Sequence, residues 1–451
     1  MKQSIQSSGG SIEEGLHKEL SLLEIASIGV GAMIGGTVFS TIGVVAMKSA
    51  VGELILFSLL LNTLITLAIG YNYAKLSAKY PSCGAGYAFV SKVFSRYTPL
   101  KLFIGYSTFF AYASACAFYS VVFSYYLMRI FNMNHLGLFT VKLIAIIIVF
   151  ILVLINLSGV KNMGIVEDLL VLFKVSILLT VIILGFKLLD LTVVYKVASR
   201  PLSYLAKGIL YGSATTFLGF EGFEAVVNAI EESRSKEHVK RGIFTSLAIA
   251  SSIYLMVAWL AISMLENGLL QSDKIWHDET ILGEITKHII GTSGDLLLSL
   301  AALSATLSAA NGSLYAVSRV LYAMSRDHIV PKVLNKLNRN GVPSNSIVLV
   351  GLMSIALISF EAGVEKLGEL TSLAFLLCFS LVSLANLKAR EETCSSMVPC
   401  LIGFIGPLII MTYAVFCTPR IAFLLIAWII ITVTIGFLIM RLSCRNEKEF
   451  K

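Results

Sequence analysis

An apolar segment interrupted by glycines at its own centre constrains this chain more than any other feature. Residues 21–47 are apolar enough to cross a bilayer, yet the middle reads Gly29-Val30-Gly31-Ala32-Met33-Ile34-Gly35-Gly36-Thr37-Val38-Phe39. Four glycines within eight residues favour unwound backbone. Hydrocarbon supplies no partners for freed amides and carbonyls, so an unwound stretch at membrane depth has to line a cavity or bind something. A binding site near the midplane is the expectation.

Composition extends that reading to the whole chain. Of 451 residues 57% are hydrophobic and 14% charged, with a mean hydropathy of +0.84, which places the chain among polytopic membrane proteins. Twelve runs are long enough to span, at roughly 21–47, 52–77, 101–129, 138–157, 165–186, 203–230, 240–265, 293–323, 345–361, 366–387, 398–417 and 421–441. The run after polar residues 1–19 is too long for a secretory h-region, so no cleaved leader is expected. The lysines and arginines gather on the side that carries both termini, which predicts cytoplasmic termini in a cell membrane. Topology thereby accounts for the net charge of +8, and no nucleic-acid partner is called for. Seven cysteines lie scattered without a Cys-x-x-Cys pair, and the six histidines show no ligand spacing. No disulfide framework, metal or cofactor is expected. Two sequons, at Asn156 and Asn311, lie in or beside spans and are read as chance matches.

The sixth run repeats the oddity of the first. Thr215-Thr216-Phe217-Leu218-Gly219-Phe220-Glu221-Gly222-Phe223-Glu224 sets two glycines and two carboxylates inside a span. The second interruption comes five spans after the first, an odd number, so the two segments run in opposite directions, as an inverted-topology repeat requires. Paired interruptions of this kind point to a transporter binding site. The expected organisation is a tail (1–19), a ten-helix core (20–390, in halves of about 20–190 and 203–390), spans eleven and twelve (391–441), and a second tail (442–451). The stretch 266–292, on the far side from the termini, carries an apolar pattern at 281–290 that suits a short surface helix, with its charges read as solvated.

In this order these features resemble the amino acid–polyamine–organocation superfamily of transporters, and the likeness covers almost the whole chain. Gly35-Gly36-Thr37-Val38-Phe39 looks like that family's first-span signature. Pro81 with Gly84-Ala85-Gly86-Tyr87 resembles its loop after span two, though Ala85 separates the usual adjacent glycines. Glu231-Glu232 resembles its acidic pair after span six, without the customary proline. Arg326-Asp327 with Pro331 resembles the loop after span eight. The resemblance implies an all-α integral membrane fold of twelve transmembrane helices. It would be a five-plus-five inverted repeat with helices 1 and 6 broken, two further C-terminal helices, and alternating access.

The chemistry of the break suits an amino acid, whose head carries opposite charges on adjacent atoms. Amides of Gly35, Gly36 and Thr37, at a half-helix N-terminus, suit the carboxylate. Carbonyls left over where the preceding half-helix ends suit the ammonium; Ala32 and Met33, with Phe217, Leu218 and Gly219, are the candidates. The family match sets Met33, Gly35, Gly36, Thr37, Leu218, Gly219 and Glu221 at substrate-contacting positions. Against this stands the plainer alternative that the glycines only allow tight helix packing.

Lys174 sits about nine residues from either end of the fifth span, ~14 Å deep at 1.5 Å per residue. A cation there costs at least ~2.5 kcal/mol even on the lenient insertion scale. A structural ion pair or a long snorkel is the bland explanation. The resemblance supplies another, because proton-coupled members carry a lysine on helix 5 where sodium-coupled relatives hold sodium. It implies that the Lys174 ammonium bridges carbonyls near Ile28 and Gly31 to a hydroxyl of span eight, Ser308 first, with Ser304 or Thr306 behind it. Burial penalises the charged amine, which suits a group that gains and loses a proton. Glu221 departs from the apolar residue usual in relatives; it is open to selecting a cationic side chain, carrying a second proton, or pairing with Lys174. Glu224 matches an acid common in relatives and reads as structure of the sixth span.

The preferred function is secondary transport of an amino acid with protons, in a lipid bilayer. Exchange of amino acids or polyamines, and a non-transporting nutrient sensor, are the alternatives. A channel would need a continuous polar stripe, an enzyme a catalytic constellation, and an ATP-driven pump a phosphate loop; none is present in the sequence.

Overall fold

A computed structural model describes residues 20–417, apart from 48–50, 82–83, 134, 159–162, 199, 232, 271–277 and 362, and a few isolated positions between 423 and 434. Both tails (1–19 and 442–451) and nearly all of the twelfth expected span lie outside the described residues. Among those described, all regular secondary structure is helical, apart from a single isolated bridge, Leu20 to Ser233. We call the face with that bridge the near face and the opposite one the far face.

The chain runs through α1 (Leu22–Met33), a π-helical turn (Thr37–Thr41) leading into α2 (Ile42–Ala46), α3 (Ile55–Lys79), α4 (Ala85–Val93) and α5 (Thr98–Ile130). Next come α6 (Leu138–Ser158), α7 (Met163–Gly185) and α8 (Thr192–Ala198). The sixth expected span consists of α9 (Leu202–Thr216), a 3-10 segment (Phe217–Phe223) and α10 (Glu224–Asn228). Beyond it lie α11 (Lys236–Glu266), α12 (Ile281–Ile290), α13 (Thr292–Arg326), α14 (Ser344–Phe360), α15 (Val364–Lys388), α16 (Arg390–Thr393) and α17 (Met397–Cys417). Eight of these helices are long and apolar enough to cross a bilayer, α1 and α2 form a further span bent by 46°, and α14 is shorter at 17 residues.

Local chemistry sets the ends. Ser21 opens α1 with a capping box: its hydroxyl faces the Glu24 amide, and the Glu24 carboxylate accepts from the Ser21 amide at 2.7 Å. Ser235 caps α11 in the same manner through the His238 amide. Between α12 and α13 the chain turns a corner at Gly291, whose φ of +86° suits only a residue without a Cβ.

The apolar stretch of α5 is enclosed along its whole length, whereas α6, α7 and α17 leave most of theirs exposed. On α6 the exposed Leu143, Ile147, Phe150 and Leu154 recur at helical spacing and form one outward apolar stripe. In lipid such a stripe carries no solvation penalty, so the polar groups are what demand explanation. They gather inside, around the two interrupted spans.

Candidate functional site

The first span stops being an α-helix at Met33. The amide of Ile34 still reaches the Val30 carbonyl at 2.9 Å, but Ile34 itself leaves helical geometry (φ −76°, ψ 76°), and the Gly35 amide turns back to Met33 O at 2.8 Å. Carbonyls of the last α1 turn are thereby freed, as the glycine pattern predicts. Two of them are met by side chains from other helices. Lys174 Nζ, from α7, donates to Gly31 O at 2.6 Å, and Tyr254 Oη, from α11, donates to Met33 O at 2.5 Å. Past the break, the Thr37, Ser40 and Thr41 hydroxyl oxygens are buried without a hydrogen-bond partner among the described residues.

The sixth span yields at the matching place. Its 3-10 segment keeps the helical sense but shifts the hydrogen bonds, and Leu218 donates its amide to Ser372 Oγ of α15 at 2.9 Å. Asn62 of α3 fastens the end of α9 through Ser213 O and Thr216 Oγ1, each at 3.1 Å. Gly219 O faces Tyr254 Oη at 2.9 Å. One phenol proton thus stands between two carbonyls, one from each break, and can satisfy one at a time.

The interruptions touch each other. A Cβ on Gly222 would overlap the Ala32–Met33 backbone, and a Cβ on Gly219 would come within 2.9 Å of the Thr37 side chain. As the first span advances from Met33 to Thr37, its neighbour therefore runs from Gly222 back to Gly219, so the segments are antiparallel. Tyr119 of α5 covers the other side, at 3.0 Å from a Cβ on Gly35 and 3.1 Å from one on Gly36. Ala32, Met33, Gly35, Gly36, Thr37, Phe217, Leu218, Gly219 and Glu221 are accordingly gathered about one locus. Of the amides proposed from the sequence, that of Gly35 is engaged by Met33 O; Leu218, proposed for its carbonyl, has its amide taken by Ser372 Oγ.

Glu221 is 5% exposed; its Oε1 accepts from Tyr119 Oη at 3.0 Å, while Oε2 is buried with no hydrogen-bond partner among the described residues. The anticipated option of a pair with Lys174 is not realised, because the Glu221 carboxyl turns to α5 while Lys174 reaches α1 from α7. Lys174 is 0% exposed. Ile28, a turn before Gly31, is half-buried on α1; Ser308 is half-buried on α13, which packs against α7. The alternative hydroxyls are spent on their own helix, Ser304 on Ala301 O at 2.8 Å and Thr306 on Ala302 O at 2.7 Å. Glu224 takes the Tyr73 hydroxyl on one oxygen and the Tyr112 hydroxyl on the other. It is fully partnered, in keeping with a structural part.

Polar contacts lie between the locus and each face. On the far face Arg129 of α5 binds Asp295 Oδ1 at 2.7 Å and Glu284 Oε1 of α12 at 3.0 Å, and Tyr126 Oη donates to Phe39 O at 2.5 Å. The Glu284 charge is therefore not the solvated one expected for residues 266–292. Ile281, Leu282 and Ile285 of α12 are buried as well. On the near face Tyr87 Oη donates to Asp327 Oδ2 at 2.7 Å; burial and that carboxylate push the phenol far above its ordinary range, so it stays a donor. A narrow cleft between Gly84, Gly86, Thr108, Tyr112 and Glu224 lies on this side. Sequence reasoning missed Tyr119, Tyr254, Ser372 and Arg129. The usable signal is that a tyrosine or arginine inside an apolar span must find a polar partner.

The chain is similar to known proteins along most of its length. The family model described as amino acid permease matches residues 20–442. The inner membrane transport protein YbaT of Escherichia coli is 24% identical over 96% of this chain and 97% of its own length. The mitochondrial cationic amino acid transporter 3 of Arabidopsis thaliana is 27% identical over 88% of this chain and 67% of its own. The branched-chain amino acid permease BcaP of Lactococcus lactis is 26% identical over 83% of this chain and 82% of its own.

Proposed function

Because the chain belongs to the amino acid permease family, we propose that it carries amino acids through a cell membrane by proton-coupled symport with alternating access. The substrate head binds where the first and sixth spans are interrupted. Amides of Gly36 and Thr37 take the carboxylate. Met33 O and Gly219 O take the ammonium, in place of the Tyr254 hydroxyl that stands between them. Residues 20–390 form the two-halved core, 391–441 flank it, and the near face is cytoplasmic.

The observation that carries the reading is the Lys174 ammonium held on Gly31 O at 2.6 Å, directly before the first interruption. A charge-assisted bond of this kind is worth ~1.5–3 kcal/mol. It biases a two-state equilibrium of the break by roughly 10- to 150-fold, enough for a proton to decide which state predominates. With the proton in place the break is braced for substrate; on deprotonation the brace weakens and substrate leaves.

The test is uptake into proteoliposomes at matched and mismatched pH. Wild-type uptake is expected to rise when the outside is more acidic than the lumen, since the proton moves inward with substrate. Lys174→Ala is expected to abolish that response. A variant whose uptake still follows the proton gradient overturns the assigned role.

A further inference from the structure

Glu221 Oε2 is the one carboxylate oxygen at the joined interruptions that the described residues leave without a partner. Its companion oxygen holds Tyr119 at 3.0 Å, Glu224 is occupied by Tyr73 and Tyr112, and the Lys174 ammonium is engaged at Gly31 O. Among the described residues, no cation donates to Oε2 of this carboxyl. The Tyr119 hydroxyl meets the companion oxygen only, so Oε2 stays open to an incoming donor. Among the described residues the ionised carboxyl is thus left half-complemented, at a site 5% exposed.

Position ties the oxygen to the substrate locus. Glu221 lies between Gly219, packed on Thr37, and Gly222, packed on the Ala32–Met33 backbone. Its donor Tyr119 covers Gly35 and Gly36. Thr37, Ser40 and Thr41 add three buried hydroxyls that also lack partners. A cationic side chain arriving beside a zwitterionic head finds a carboxyl whose ionised form it complements, and several hydroxyls; an aliphatic one leaves all of them unsatisfied.

We infer that Glu221, positioned by Tyr119, selects amino acids whose side chain carries a second positive charge. This rests on the transport reading above and adds to it the substrate class. A buried polar site rejects an analogue that cannot complete its hydrogen bonds far more strongly than an apolar pocket rejects a misfit, by roughly 10⁴-fold in favourable cases. A preference of at least tenfold is the conservative expectation.

Counterflow with the full chain in proteoliposomes decides the matter, using L-lysine, L-arginine and L-leucine as labelled probes. Lysine or arginine should exchange at least tenfold better than leucine, and Glu221→Gln should bring that ratio down to about one. Cadaverine, which is lysine without its carboxylate, should compete at least tenfold less well than lysine. A wild type that favours leucine, a ratio unmoved by Glu221→Gln, or cadaverine outcompeting lysine would each overturn the inference while leaving amino acid or amine transport standing. Absence of counterflow with all three labelled probes would instead overturn the transport reading and this inference with it. The wild-type preference is read without the variant, so a misfolded Glu221→Gln leaves the test intact.

Discussion

Gly222 is the residue at which the two interruptions come closest, and it carries a sharp expectation. A methyl group there meets backbone of Ala32 and Met33, which cannot rotate aside as a side chain would. Gly222→Ala should lower stability by about 1–3 kcal/mol through overpacking, seen as a fall of several degrees in melting temperature together with loss of uptake. Gly312→Ala is the control: nothing lies near its Cβ, so removing a helix-interior glycine should be neutral or stabilise by up to ~1 kcal/mol. Equal effects at the two positions would contradict the packing described. The glycines were legible in the sequence because backbone freedom is written into a single residue type. The tyrosines that finish the site were not, since Tyr119 meets Glu221 across 102 residues and Tyr254 meets Met33 across 221. Lys174 was legible through its cost in hydrocarbon, and the Gly31 carbonyl through the family likeness.

At the scale of elements, α12 shows what periodicity reveals and what it hides. An apolar pattern at 281–290 predicted a short helix, and a helix forms there. Its role depends on Arg129, which arrives from α5 and binds both Glu284 on α12 and Asp295 on α13. No local pattern encodes such a pairing. Breaking a buried ion pair costs ~3–5 kcal/mol. Here the carboxylates keep 24% and 18% of their side-chain surface exposed, so screening reduces the expected loss to ~1–2 kcal/mol. Arg129→Gln should therefore speed hydrogen exchange in residues 281–290 by roughly 5- to 30-fold, with α15 unchanged. Unaltered exchange across α12 would show that its apolar face alone holds it down. The two interrupted spans were placed correctly from sequence, but the π-helical turn and the 3-10 segment that resume them were not foreseen. Each reflects how neighbours take up the freed groups, and propensity says nothing of that.

For the whole molecule, the class was set by hydropathy alone: a chain this apolar must bury its backbone polarity in helices within lipid. The outward-facing α6 is markedly more apolar than the enclosed α5, so hydropathy hints at which helix meets lipid, while assembly decides which face does so. The central claim is that two antiparallel spans, opened at the same depth, form one receptacle for an amino acid head. Its most direct test is an electron cryomicroscopy structure of the full chain in nanodiscs, saturated with the amino acid that gives the fastest counterflow. The account predicts density between residues 33–37 and 217–221, with the carboxylate about 3 Å from the Gly36 and Thr37 amides and the ammonium on Met33 O or Gly219 O. Ligand density elsewhere, with Tyr254 still seated between those two carbonyls, would contradict it.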